Sequence, residues 1–183
     1  MLKLFLFLIL STINSSVLSQ SKNNQHDKAC GLNEKSRILA RLIINDPKQN
    51  RTKLKCSYLL SKIAAEKAKE MSKTTRVKHR APNKRLIDKG YPLSSVYPRL
   101  FENNVEAVAG GMSDPEEVWI GFKGSDAHRT HLLAEHEFYM LQDEIGVGFV
   151  SDPKTPHVEY WAVYVAHRKE EKQYKGEIAK SKD

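Results

Sequence analysis

The chain reads as an α+β protein, an α-β-α sandwich in which an antiparallel sheet is flanked by helices on both sides. Three observations predict this. Two N-terminal segments repeat apolar residues at helical spacing, the middle of the chain carries two helix-opening signals, and two β-rich runs near the end are separated by a proline-containing turn. About 140 residues between Leu32 and His167 are enough to bury one core without dense cross-linking.

Residues 1–19 hold Lys3, an unbroken apolar run from Leu4 to Leu10, and small polar residues up to Ser19, a secretory signal-peptide pattern. Cleavage there would start the chain near Gln20. It would remove one lysine and no acid, so the formal net charge of +8 becomes +7. The apolar run is too short to span a bilayer, and no later segment approaches the roughly 20 apolar residues that a transmembrane helix needs. Cys30 follows Asp-Lys-Ala rather than the small apolar residues expected before a lipid-anchored cysteine. The expectation is a secreted monomer, extracellular or periplasmic, with no transmembrane segment.

Residues 20–30 form a polar, flexible segment, 31–168 the folded domain, and 169–183 a charged, disordered tail in which acids and bases mix without apolar periodicity. Leu32, Ile38, Leu39, Leu42 and Ile43 mark the first helix, with Asp46-Pro47 as its stop. In the second, Leu59, Leu60, Ile63, Ala64, Ala68 and Met71 share a face opposite Lys62, Glu66, Lys69 and Glu70. From Thr74 to Pro98 the chain is basic and irregular, with one short helical turn around "NKRLIDKG". "VEAVAGG" reads as a strand entering a turn. In "SDPEEVWIGF", Ser113 and Glu116 have capping-box spacing with Pro115 in the first turn, and Ser125 can cap a short helix carrying His128. "EIGVGFV" and "HVEYWAVYVA" then form a hairpin at the centre of the sheet.

Cys30 and Cys56 are the chain's two cysteines. In an oxidising compartment they are expected to pair, two free thiols being the alternative. The basic balance favours anionic walls, membranes or simple solubility. No aromatic-rich basic module points to nucleic acid.

Candidate chemistry centres on His79 in "VKHRAPNKR", Glu106 in "VEAVAGG" and His128 in "SDAHRTH", each in a loop or at the end of an element. Two neutral imidazoles can bind zinc or a similar ion weakly, and a nearby carboxylate can hold an imidazole tautomer or act as a base. His131 shares a helix face with His128 at three-residue spacing, but a surface role is expected for it. "HLLAEH" misses the H-x-x-E-H metal motif by one residue, which turns the second histidine about 100 degrees round a helix. A Cys-His protease is disfavoured, because a secreted context opposes a free catalytic thiol.

The string "EAVAGGMSDPEEVWIGFKGSDAHRTHLL" resembles the signature of bacterial CAP-domain proteins, also called SCP-domain proteins, which are relatives of cysteine-rich secretory proteins, antigen 5 and plant pathogenesis-related proteins. Glu106 and His128 are 22 residues apart, as in the bacterial form, with Pro115, Glu116, Glu117, Val118, Ser125 and Arg129 in register. "LNEKSR", "KIAAEKAKEMS", the His79-Arg80 step, "IGVGFV" and "YWAVYVA" extend the likeness over nearly the whole domain. It implies the α-β-α sandwich and a cleft lined by His79, Glu106 and His128.

The chain departs from the family at Ala107, at Phe122 in place of the usual Trp, and at Ser125, near where the second cleft glutamate would fall. Glu102-Asn103 competes with Glu106 for the first glutamate, and gap-free register to His128 favours Glu106. The function implied is a secreted protein whose cleft at His79, Glu106, His128 and Ser125 binds a small ligand, lipid or cell-envelope component, with weakly held zinc on His79 and His128 and no established catalysis. The alternatives are a metal-assisted peptidase or cell-wall hydrolase with Glu106 as base, and a non-enzymatic surface interaction module.

Overall fold

A computed structural model describes residues 29–97 and 101–169. The expected signal peptide over residues 1–19, residues 20–28 of the segment expected to be flexible and residues 170–183 of the expected tail lie outside the described residues. At the end of that segment Cys30 is fully buried.

Helix α1 (Glu34–Ile44) opens at Asn33. The Asn33 side chain accepts from the Ser36 backbone N–H while the Asn33 N–H donates to Ser36 Oγ, a reciprocal capping box. Leu39, Ala40 and Ile43 form its buried stripe, whereas Leu32 precedes the helix and is 47% exposed, so it does not belong to the face expected for it. After a two-residue strand β1 (Lys55–Cys56), α2 (Tyr58–Thr74) buries Leu60, Ile63, Ala64, Ala68 and Met71 as the periodicity requires. Helix α3 (Pro82–Asp88) is the expected short turn.

Strand β2 (Glu106–Gly110) ends before Gly111, whose φ of +84° needs a glycine. Helix α4 (Pro115–Gly124) is capped by Asp114, which accepts from the Glu116 N–H at 2.7 Å; the capping residue is therefore one place later than the Ser113 expected. Helix α5 (Asp126–Leu132) has Ser125 at its N-cap, but the Ser125 side chain makes no capping bond. A single turn, α6 (Glu137–Met140), leads to β3 (Glu144–Ser151) and β4 (Glu159–Ala166).

The strands lie in the order β1-β3-β4-β2, and both β3–β4 and β2–β4 are antiparallel. The sheet is mixed rather than antiparallel, because β1 pairs parallel to β3. A two-residue strand has no periodicity to read; tertiary contacts create it. Within it, Cys56 is disulfide-bonded to Cys30, with their Cα atoms 4.5 Å apart.

Strand β4 divides the core by its two-residue period. Trp161, Val163 and Val165 pack with Leu39, Ile43, Val118, Phe122 and Leu132 from α1, α4 and α5. Tyr160, Ala162, Tyr164 and Ala166 pack with Leu60, Ile63, Met71 and Leu86 from α2 and α3. Helices thus cover both faces of the sheet, the three-layer α+β arrangement. On one face α2 lies directly against the β3 backbone, since a Cβ at Gly146 would collide with Leu60 and Ser61, and one at Gly148 with Ala64 and Ala65.

Candidate functional site

The site forms at β2, an edge strand among the described residues. Helix α2 stops where Thr75 turns left-handed (φ 51°), its N–H bonded to the Met71 and Ser72 carbonyls. The chain then runs without regular secondary structure through residues 76–80. Val77 packs against the core and the His79 side chain reaches Glu106 at the start of β2 although it is partly exposed, while Arg76, Lys78 and Arg80 are exposed. Lys67 anchors the loop from below by donating from Nζ to the Lys78 carbonyl at 2.7 Å.

Glu106 is the first residue of β2 and only 2% exposed. One carboxylate oxygen lies 2.7 Å from His79 Nδ1, and the other accepts a short hydrogen bond from the Tyr164 hydroxyl. Tyr164 is there because the β2–β4 register sets it directly across from Glu106. The Tyr164 phenol is held well above its ordinary pKa by burial and by the Glu106 charge, so it remains a donor.

A carboxylate against Nδ1 calls for a proton on that nitrogen. The Asn103 amide nitrogen, 3.1 Å from the same Nδ1, therefore donates instead to the Glu106 carbonyl at 2.9 Å. The neutral His79 ring is left with a lone pair on Nε2, in a side chain that is 40% exposed. Asn103 also accepts from the Glu106 N–H at 2.9 Å through its side-chain oxygen, so one asparagine fixes the backbone on which the carboxylate stands.

His128 is half-buried on α5 with its ring edge-on to Phe122, the centroids 5.0 Å apart. Burial depresses its pKa, and charge on His79 depresses it further. Ser125 has no bond to His79 or Glu106 among the described residues. Of the two competing glutamates, Glu106 bonds His79 through its side chain at 2.7 Å, and Glu102 lies in the half-exposed loop before it.

His131 is not a surface residue as expected. It is 6% exposed, its Nε2 lies 3.1 Å from the Gln142 side-chain oxygen, and its ring packs on Tyr139. Burial, with the charge of Arg51, lowers its pKa to about 3, so it is a neutral core imidazole. The three-residue spacing from His128 conveys nothing of this, because α5 is only seven residues long and its last turn is driven into the core.

Three residues of the site escape a reading of the sequence. Tyr164 depends on strand register, which a single strand does not reveal. Asn103 is legible only as part of a competing Glu-Asn step. Lys67 carries a usable signal: it falls three after Ala64 and four before Met71, inside the apolar stripe of α2, and it is fully buried. Burial pulls its ammonium pKa down while Glu106 and Glu70 hold it up.

Among the described residues no group of three or more His, Cys, Asp or Glu is arranged to hold a metal ion. Both Glu106 oxygens are already engaged, which makes it an orienting partner rather than a ligand.

No family model matches the chain, and no curated protein matches it significantly. A solved structure does: an outer surface protein from Borrelia burgdorferi aligns with a TM-score of 0.54 and 17% identity, covering 72% of this chain and 90% of that one. At that identity the likeness is one of fold, and the chain shares the α+β architecture of that outer surface protein.

Proposed function

We propose that the chain is a secreted CAP-type protein whose cleft at His79, Glu106 and His128 binds a small ligand, with or without a weakly held divalent ion on the two imidazoles. The observation that carries this reading is the buried Glu106 carboxylate on His79 Nδ1, which fixes one tautomer and presents Nε2 as an acceptor. A histidine serving only the surface has no need of a buried carboxylate held in turn by a tyrosine and an asparagine. A Cys30–Cys56 disulfide supports an oxidising, extracytoplasmic location.

Within the cleft His79 Nε2 accepts a proton or a hydrogen bond from the ligand, Glu106 orients the ring and balances positive charge on it, and Tyr164 and Asn103 keep the carboxylate in place. A divalent ion, where bound, would be held by His79 and His128 and would polarise a ligand oxygen. The test is a zinc titration followed by NMR of the histidine rings. Signals of His79 and His128 shift together, Glu106→Gln perturbs them, and Glu102→Gln does not. Independent titration of the two rings like free surface histidines would overturn the reading.

A second reading, a peptidase or cell-wall hydrolase, draws on the same carboxylate-oriented imidazole, the geometry of a general base. It requires turnover of peptides or peptidoglycan that disappears in Glu106→Gln without loss of fold. Absence of turnover with zinc supplied excludes it.

A further inference from the structure

Beside α3, and separate from the His79–Glu106 pair, an open-sided cavity of about 200 Å³ is lined by Arg80, Ala81, Lys84, Arg85, Asp88 and Lys89. Four of those six side chains are cationic. Carboxylates offset part of the charge: Glu70 bonds Arg85 and lies 4.0 Å from Arg80, Asp88 takes Lys84, and Glu66 takes Lys89 at 2.6 Å. The two lysine pairs are each about half exposed, so water and competing anions exchange with them readily.

Two features remain unbalanced. The Arg85 Nε–H is buried without a hydrogen-bond partner, although the guanidinium is otherwise well held. On α2 and the loop after it Lys69, Lys73, Arg76 and Lys78 are exposed, and none forms an ion pair with a carboxylate of the described residues.

The volume and the donors set the ligand class. A cavity of about 200 Å³ is below the roughly 300–1,000 Å³ of sites that enclose whole small molecules, so it suits a head group. Two guanidinium forks and two ammonium groups provide more donors than the two oxygens of a carboxylate can use, and they match the three terminal oxygens of a phosphate monoester. We propose that the cavity between the Arg80 loop and α3 binds a phosphate monoester group, as a second site that does not depend on the His79–Glu106 cleft. The group can come from a soluble phosphoester or from a lipid headgroup.

The experiment follows the arginine Nε–H NMR signals of the intact domain during titration with inorganic phosphate, with chloride at matched ionic strength as the control. Saturable shifts of Arg80 and Arg85 that chloride does not produce are expected, and Arg80→Ala combined with Lys84→Ala weakens binding at least tenfold. Lys62→Ala, at an exposed position of α2 that does not line the cavity, leaves it unchanged. Lys89→Ala repeats the test at a half-exposed position should the double variant lose its fold. In a second arm the protein is co-sedimented with phosphatidylcholine vesicles containing phosphatidic acid. Phosphate binding with vesicle capture that the double variant abolishes identifies a lipid headgroup, and phosphate binding without capture identifies a soluble phosphoester. Equal shifts with chloride and phosphate, or capture unaffected by the variants, overturn the site and leave only diffuse surface charge.

Discussion

Glu106 shows how much of a site can rest on one buried carboxylate. Its oxygens serve His79 and Tyr164, and its backbone is held by Asn103, so each partner depends on the others. Tyr164→Phe removes the donor to one oxygen while keeping the ring in the core. The unsatisfied buried oxygen is expected to cost about 1–3 kcal/mol, measurable by denaturant unfolding. Lys67→Met retains the stem's packing but frees the Lys78 carbonyl, and amide exchange across residues 76–80 is expected to accelerate while exchange in β3 does not. Equal protection of the loop in both proteins would show that Lys67 is not its anchor.

Elements differ in how far their own residues specify them. Helices α1 and α2 are legible because an apolar stripe at a period of 3.6 survives any detail of packing, and β3 and β4 are legible from β-rich runs broken by prolines. Strand β1 and the turn α6 are not, since two and four residues carry no period and their conformation comes from neighbours. The close approach of α2 to β3 depends on Gly146 and Gly148, and Gly148→Ala is expected to cost roughly 1–3 kcal/mol by overpacking, seen as a lower unfolding midpoint. The disulfide closes a 26-residue separation, so replacing both Cys30 and Cys56 by alanine should lower stability by about 2–4 kcal/mol. A smaller loss would mean that the packing of Cys30 against α1 and β3 already restrains the loop.

At the scale of the whole molecule, a buried polar network ties distant segments together. Arg51 donates to the His131 and Leu132 carbonyls, to the Tyr139 carbonyl and to Gln142. Gln142 continues to the Asn104 carbonyl, and Asn104 pairs with Asn83, so the network joins α5 and α3 to the segment that leads into β2. His131 makes this network sensitive to acid. Its folded pKa is depressed from 6.5 to about 3, so below 6.5 the unfolded chain takes up a proton that the folded one refuses. Stability from this group is intact above the unfolded value and falls as pH drops toward 3. Between pH 7 and pH 5 the loss is about 2 kcal/mol. Half-buried His128 shifts in the same direction and adds to the slope. Unfolding measured over that range should steepen with acid in the native chain and flatten in His131→Leu, whatever the variant's absolute stability. An unchanged slope would assign the acid sensitivity elsewhere.

The linear chain by itself determined what depends on local pattern: the apolar stripes of the long helices, the β-rich runs of the hairpin, the position of two cysteines, and, through a resemblance, the candidates His79, Glu106 and His128. The tertiary structure decided which groups meet. Glu106 bonds a histidine 27 residues before it and a tyrosine 58 residues after it, and those contacts follow from strand register and from a loop anchored on a buried lysine. The same is true of His131, whose neutral core role depends on Arg51 and Gln142. Long-range contacts form only once distant segments have been brought to the same face of the sheet, and residue spacing along the chain holds no measure of that distance.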